Sequence, residues 1–131
     1  MKRFLEWIRI KSALDETIYR APYVSEGDVW WVNIGENVGY ELNGKSKIFT
    51  RPVVIYKKFS HNFYFVIPAT TKIHIGDWYI PYTHRGQKAA ACLHQARSID
   101  YRRLHNKMGT LDDADFKRIK EGFKALYGTY V

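Results

Sequence analysis

The stretch FTRPVVIYKK, residues 49–58, sets four apolar residues between an arginine–proline pair and two lysines. Valine, isoleucine and tyrosine favour strands, because branched and aromatic side chains pack well on a pleated surface. Proline suits the first residue of a strand, where no amide is needed for pairing. We therefore predict a buried strand over residues 52–57, directly after Arg51. A cation at that position is either simply solvated or directed at a ligand.

Similar stretches predict further strands around this one. The first is VWWVNI, residues 29–34, which follows a Gly-Asp turn signal. A long loop rich in glycine and asparagine, residues 35–50, joins it to the Arg51 strand, and loops of this length in compact domains are usually functional. Residues 97–104 are expected to form a short helix or turn. The other predicted strands are residues 62–68, 77–83, 88–95 and 105–109.

Two segments have the apolar spacing of amphipathic helices. Residues 3–18 predict the first, and we expect an appended N-terminal helix within residues 1–20 ahead of a single domain, residues 24–131. The second begins near Thr110, a predicted N-cap with an aspartate three residues later, and ends at Gly128, which is placed for the C-cap. Its predicted apolar stripe contains Phe116, Ile119, Phe123, Leu126, Tyr127 and Tyr130.

Several short strands followed by a terminal helix predict an α+β fold. The expected architecture is a small, strongly curved antiparallel sheet, such as a half-barrel, with helices packed against it. The length of 131 residues suits one domain with one core. No apolar run approaches the roughly 18 residues that a membrane span requires, so no membrane association is expected.

The expected compartment is the cytoplasm. The start MKRFL imitates a signal peptide, but Glu6 and Arg9 interrupt the apolar stretch, so secretion is not expected. Cys92 is the only cysteine, which excludes an internal disulfide. Because it lies next to three alanines in an apolar segment, a small buried thiol is favoured over a nucleophile.

The positive charge of the chain is concentrated in its middle. The formal net charge is +8, and residues 40–110 hold twelve Lys or Arg against three acids. The flanking segments are close to neutral. This distribution predicts a polyanionic partner, either a nucleic acid or an acidic protein segment.

Motifs for metal or cofactor binding are absent from the sequence. None of the five histidines forms an HExxH pattern, and no zinc or EF-hand spacing occurs. The glycines do not match a P-loop or a dinucleotide fingerprint, and there is no GxSxG elbow. We therefore expect no metal and no cofactor.

Cationic and hydroxyl side chains instead mark the ends of predicted strands. Because neighbouring strand ends converge in a small curved sheet, several of them should meet at one rim and suit a phosphodiester. RNA can be cleaved there without a metal by its own 2′-hydroxyl, if the protein stabilises the phosphate charge. A histidine pair is the alternative, but the sequence does not place His84 or His94 near Arg51. The strand-end residues are Arg51, Thr70, Thr71, Lys72, Arg97 and Ser98.

Five blocks in order, GDVWWVNIG, VGYELNGK, RPVVI, VIPATTK and HQARSID, resemble the MazF/PemK family of toxin endoribonucleases. The resemblance covers about residues 26–127. It implies an SH3-like antiparallel β-barrel of the CcdB/MazF type, a homodimer, and a cognate antitoxin with an acidic or amphipathic segment. It also implies metal-independent cleavage of single-stranded RNA such as mRNA at specific short sequences, leaving a 2′,3′-cyclic phosphate and a 5′-hydroxyl.

The resemblance further implies roles for individual residues. Arg51 and Thr70 would carry the chemistry, with Thr71 as the alternative if the register is shifted by one residue. Arg51 would mainly stabilise charge, and protonation of the leaving 5′-oxygen is a second role open to it. The residues expected to bind RNA are Gly39, Tyr40, Glu41, Asn43, Lys45, Lys47, Thr71, Lys72, Gln95 and Arg97.

Two other functions fit the same type of barrel. One is a non-enzymatic toxin that binds gyrase and resembles the CcdB family, whose action depends on a C-terminal helix. The other is a plain SH3-like RNA-binding module. The position of the basic excess favours the endoribonuclease, because the predicted C-terminal helix is electrically balanced.

Overall fold

The apolar run after Arg51 forms a central strand of a seven-stranded antiparallel sheet. We describe this architecture from a computed structural model that covers residues 2–72 and 74–128. Neither helix in that part of the chain is long and apolar enough to cross a membrane. Short 3-10 turns occupy Leu93–Gln95 and Tyr101–Arg103. The other elements are α1 (Phe4–Glu16), β1 (Asp28–Asn33), β2 (Thr50–Lys58), β3 (Phe63–Thr70), β4 (Tyr79–His84), β5 (Gln87–Cys92), β6 (Arg97–Asp100), β7 (Leu104–Thr110) and α2 (Asp113–Tyr127).

The strands follow the order β4-β5-β3-β2-β1-β7, and each neighbouring pair is antiparallel. One edge of β3 pairs with β2. The other edge is shared, because β6 pairs with residues 63–66 while β5 pairs with Ala69 and Thr70. Two strands that succeed each other along one edge curl the sheet around its own core. The predicted α+β fold, a curved antiparallel sheet with a helix at each end, is confirmed.

Burial on both faces of the sheet explains why β2 is apolar without alternation. Val53 and Ile55 join one core cluster, whereas Val54 joins the other. Each fully buried side chain of this kind stabilises the fold by roughly 1.5–3 kcal/mol. Helix α2 covers the second cluster with Phe116, Ile119, Phe123 and Leu126, while Tyr130 of the predicted stripe lies outside the described residues.

The start of α2 differs from the prediction. Thr110 is not the N-cap but remains in β7, where its hydroxyl donates to the Asp28 carboxylate at 3.0 Å. Asp28 is 1% exposed, and a buried carboxylate needs hydrogen-bond donors. The helix starts later, with Asp112 as its N-cap residue and no side-chain cap.

The segment after β5 also differs from the prediction. The expected strand over residues 88–95 ends at Cys92, and a 3-10 turn follows. Residues 97–104 were expected to be a helix or turn, but the first four form β6. The reason is the edge of β3, since the backbone groups of residues 63–66 pair with β6 when these residues are extended.

Candidate active site

Arg51 is fixed at the start of β2 and is 8% exposed. Its Nε donates to the Asn43 carbonyl oxygen at 2.7 Å, and its Nη1 donates to the Ala69 carbonyl oxygen at 3.2 Å. A guanidinium carries five N–H donors, so three have no partner among the described residues. No ion pair in that part of the chain includes Arg51. The charge is therefore held in place without neutralisation by a described carboxylate.

Burial shapes the electrostatics of three arginines. Removal from water lowers the pKa of Arg51. It also lowers the pKa of Arg97, and it lowers the pKa of Arg103 to about 10, with a further contribution from the positive charge of Arg97. Guanidinium groups nevertheless remain protonated at neutral pH. The fold therefore retains cations that are only partly hydrated, which favours an anionic ligand.

Thr70 is the last residue of β3 and is 7% exposed. The register of β2 and β3 pairs Val53 with Pro68. Continuing that register by two residues brings Thr70 opposite Arg51. The Thr70 hydroxyl oxygen accepts a hydrogen bond from the Lys72 amide at 3.2 Å, which leaves the hydroxyl hydrogen able to donate to a ligand.

Arg51 and Thr70 line one cavity of about 390 Å³. The ends of β2 and β3 contribute these two side chains, and residues 35–49, which we name the β1–β2 loop, contribute another part of the lining. Among the other predicted residues, Thr71 and Lys45 line the same cavity. It thus offers a planar cation and hydroxyl groups together, and such donors suit a phosphate group.

The β1–β2 loop has a defined conformation. The Asn37 amide donates to the Asn43 side-chain oxygen, and the Gly44 amide donates to the Gly35 carbonyl oxygen at 2.7 Å. Phe49 ends the loop, fully buried, with a positive φ of 58°. A bulky residue rarely adopts that conformation, and such strain is concentrated at functional sites.

Replacing Gly44 with alanine is expected to lower the free energy of unfolding by about 3 kcal/mol. An added Cβ would lie 1.8 Å from the Phe49 carbonyl oxygen, so the backbone would have to move. Gly39→Ala is the control, since its Cβ would meet nothing within 4 Å. Only its positive φ opposes a side chain there, at a cost of about 1 kcal/mol. Urea unfolding measures the free energy of unfolding of both variants. Equal decreases in the two variants would contradict the importance of the close contact between Gly44 and the Phe49 backbone.

A sequence model of the PemK-like, MazF-like toxins of type II toxin–antitoxin systems matches residues 25–127. The chain belongs to this family. The matched range contains Arg51, Thr70 and the β1–β2 loop, and it confirms the resemblance and the toxin role predicted from the sequence. MazF-like toxins are endoribonucleases, so the predicted class of enzyme is supported as well.

Solved structures of MazF toxins share the fold of this toxin. MazF of Deinococcus radiodurans aligns with a TM-score of 0.67 and 19% identity, over 82% of this chain and 100% of that chain. A MazE–MazF structure from the same organism aligns with a TM-score of 0.62 and 17% identity, over 83% and 100%. An endoribonuclease from a mycobacterial species, in complex with its cognate antitoxin, gives 0.63 and 11%, over 83% and 99%. No curated protein matches the chain significantly.

A second cavity of the toxin, about 290 Å³, brings together Glu41, Gln95 and Arg97. Gln95 holds the β1–β2 loop from this side. Its side-chain oxygen accepts from the Leu42 amide at 3.1 Å, and its side-chain nitrogen donates to the Tyr40 carbonyl oxygen at 3.0 Å. Both polar atoms of Gln95 are thus engaged with the backbone of the loop.

The remaining predicted residues lie along the loop and beside the first cavity. Asn43 contacts Arg51 through its backbone carbonyl. Lys72 lines a neighbouring cavity of about 650 Å³, which shares Thr71 with the Arg51 cavity. Ser98 is exposed on β6 and lines neither of these two cavities. The predicted loop residues that are exposed and line neither the Arg51 cavity nor the second cavity are Gly39, Tyr40 and Lys47.

His105 and Asn106 also line the Arg51 cavity, which the sequence did not predict. They belong to β7, which reaches the site because it pairs with β1, the neighbour of β2. His84 and His94, the histidines considered from the sequence, do not line this cavity. No local signal predicts such a long-range pairing. His105 adds an imidazole, a group that can accept or donate a proton, to the cavity of the guanidinium.

Other catalytic groups are poorly placed. Within residues 2–72 and 74–128, no three His, Cys, Asp or Glu side chains gather closely enough to hold a metal ion. Cys92 is 1% exposed at the end of β5. Burial raises its pKa to about 11, although the positive charge of Arg51 acts in the opposite direction. A thiol with that pKa is protonated at neutral pH and is a poor nucleophile.

Proposed function

We propose that this toxin cuts single-stranded RNA, including mRNA, at specific short sequences and without a metal ion. The ribose 2′-hydroxyl attacks the adjacent phosphorus, the bond from phosphorus to the 5′-oxygen breaks, and the products are a 2′,3′-cyclic phosphate and a 5′-hydroxyl. The observation that carries the proposal is the cavity shared by Arg51 and Thr70 in a chain of the MazF-like toxin family.

Arg51 and Thr70 stabilise the charge that develops on the phosphate. The planar guanidinium can donate two parallel N–H groups to phosphate oxygens, and its anchoring to two backbone carbonyls fixes their direction. The Thr70 hydroxyl donates to a further oxygen. Donors that are already oriented need no rearrangement during the reaction, so they favour the transition state.

Proton transfer completes the reaction. The 2′-hydroxyl must lose a proton, and the leaving 5′-oxygen must gain one. His105 is the side chain of the cavity suited to accept the first proton. Arg51 serves mainly through its charge, and because burial lowers its pKa, it is also a better proton donor to the leaving oxygen than an exposed arginine.

The β1–β2 loop and the second cavity recognise the bases beside the cleaved bond. Tyr40 is fully exposed and offers an aromatic face on which an unpaired base can stack. Lys45 and Lys47 attract the phosphate backbone. Glu41 and Arg97 supply an acceptor and donors for base edges in the second cavity.

We also propose that this toxin associates with other chains. MazF structures that share this fold include complexes with MazE, and one mycobacterial endoribonuclease is bound to its cognate antitoxin. We infer a cognate antitoxin with an acidic or amphipathic segment, a toxin homodimer, and action in the cytoplasm. The excess of Lys and Arg in residues 40–110 would attract an acidic segment of this kind.

A mapped cleavage assay tests the proposal. Purified toxin is incubated with a long RNA of mixed sequence in the presence of EDTA, and both ends of every product are identified. We expect cuts at one recurring short sequence, cyclic phosphate ends and 5′-hydroxyl ends. Loss of cutting on addition of EDTA would contradict the metal-independent mechanism. Intact RNA together with stalled DNA gyrase would favour the gyrase-binding alternative, and RNA binding without cutting would favour the plain binding module.

A further inference from the structure

Helix α1 lies outside the residues that the family matches, yet it contacts the β1–β2 loop. Trp7 is the buried residue of this helix and is 5% exposed. Its ring centroid lies 5.6 Å from that of Phe49. The indole also covers Gly35, where an added Cβ would lie 2.2 Å from the ring. Because Gly35 and Phe49 are the two ends of the loop, Trp7 packs against its base.

Arg3, at the N-cap of α1, contacts the same loop by polar and stacking interactions. Its amide donates to the Glu36 carboxylate at 2.8 Å, and its Nη1 donates to the Ser46 carbonyl oxygen at 2.8 Å. The central guanidinium carbon lies 4.1 Å from the centroid of the Phe49 ring. Arg3 therefore connects an early and a late position of the loop to the helix.

The β1–β2 loop connects helix α1 to Arg51 through hydrogen bonds. The Phe49 carbonyl oxygen accepts from the amides of Ile34 and Gly35 at 2.9 and 3.2 Å, which closes the base of the loop. Further along the loop, the Asn43 carbonyl oxygen accepts from Arg51 Nε at 2.7 Å. A displacement of the loop at Asn43 would therefore move one of the two carbonyls that orient the guanidinium.

We propose that Arg3 and Trp7 are positioning residues for RNA cleavage, which hold the β1–β2 loop and, through the Asn43 carbonyl, the guanidinium of Arg51. The inference rests on the proposed function. Neither residue lines the Arg51 cavity, so neither is placed to touch the reacting phosphate. Their effect is expected on the turnover rate and on the order of the loop, more than on the affinity for RNA.

Trp7→Ala is the main test, with Leu5→Ala as its matched control. Leu5 is on the same helix but is 78% exposed. For Trp7→Ala, amide hydrogen exchange in the β1–β2 loop is expected to rise at least about tenfold, while exchange in β2 and β3 is unchanged. The turnover rate is expected to fall about 10- to 100-fold. Affinity for an oligonucleotide with a 2′-deoxyribose at the cleavage site should fall less than the turnover rate, because the loop residues that bind RNA are still present.

Rescue separates positioning from loss of fold. Trp7→Phe keeps an aromatic contact with Phe49 and should restore most of the rate. If Trp7→Ala does not fold, Arg3→Ala replaces it, because the Arg3 side chain is 41% exposed and its removal leaves the core intact. Arg3→Ala should then raise loop exchange and lower turnover, and Arg3→Lys, which lacks the planar fork, should restore them only in part.

Unchanged loop exchange or unchanged turnover in the folded variant would overturn the inference, as would equal losses in Leu5→Ala. A wild-type toxin that does not cut RNA would instead refute the proposed function. Hydrogen exchange would in that case still decide whether α1 orders the loop, so the two failures are distinguishable.

Discussion

Arg51→Ala should lower the rate of RNA cleavage at saturating substrate by about three orders of magnitude, in line with the loss of an arginine that stabilises a phosphoryl transition state. The variant keeps the cavity but removes the guanidinium that Arg51 contributes to its lining. Two carbonyl oxygens, of Asn43 and Ala69, lose a donor at the same time. Because the arginine was also costly to bury, the net effect on stability should be small.

Two further variants serve as controls for Arg51→Ala. Arg51→Lys keeps a positive charge but not the planar fork, so an intermediate rate is expected. Lys57→Ala removes an exposed cation from the other end of β2 and should leave the rate near that of the wild type. Thermal unfolding confirms that each protein is folded. A rate for Arg51→Ala within tenfold of the wild type would show that this guanidinium does not stabilise the transition state.

Thr70→Ala should lower the cleavage rate by about 10- to 100-fold, the loss expected for one hydrogen bond to a charged group. Thr70→Ser keeps the hydroxyl and should retain most of the activity. Thr71→Ala is the matched comparison, because Thr71 lines the same cavity but is exposed, whereas Thr70 is buried beside Arg51. We expect a smaller loss for Thr71→Ala, through RNA binding.

The reverse order of these two losses would mean that the exposed threonine faces the phosphate. Such a result would assign the role of hydroxyl donor to Thr71, which is the alternative that the sequence left open. Equal and small losses in both would remove hydroxyl donation from the mechanism. Single-turnover rates measured at saturating toxin distinguish a loss of chemistry from a loss of binding.

The sequence predicted the secondary structure best where local preferences agree with the long-range structure. In β2, strand-forming residues, continuous apolar character and an initial proline all indicate the same element, and the structure contains it. The first strand and the C-terminal helix were predicted for the same reason. The ordered blocks around Arg51 identified the family, which composition and charge alone could not do.

The predictions from the sequence failed where a distant group determines the local structure. Thr110 has the local signals of an N-cap, but its hydroxyl instead donates a hydrogen bond to the buried carboxylate of Asp28, 82 positions away. The four residues of β6 become a strand because β3 offers them an edge. The presence of His105 in the cavity, and of Trp7 over the β1–β2 loop, likewise depends on packing between segments remote in the chain.

A structure of the toxin with an RNA oligonucleotide that carries a 2′-deoxyribose at the mapped cleavage site would show directly whether Arg51 and Thr70 hold the reacting phosphate. Removal of the attacking hydroxyl preserves the complex while preventing the reaction. We expect the phosphate at that site to accept hydrogen bonds from both the Arg51 guanidinium and the Thr70 hydroxyl, at about 3 Å. RNA bound with that phosphate away from both groups would contradict this expectation.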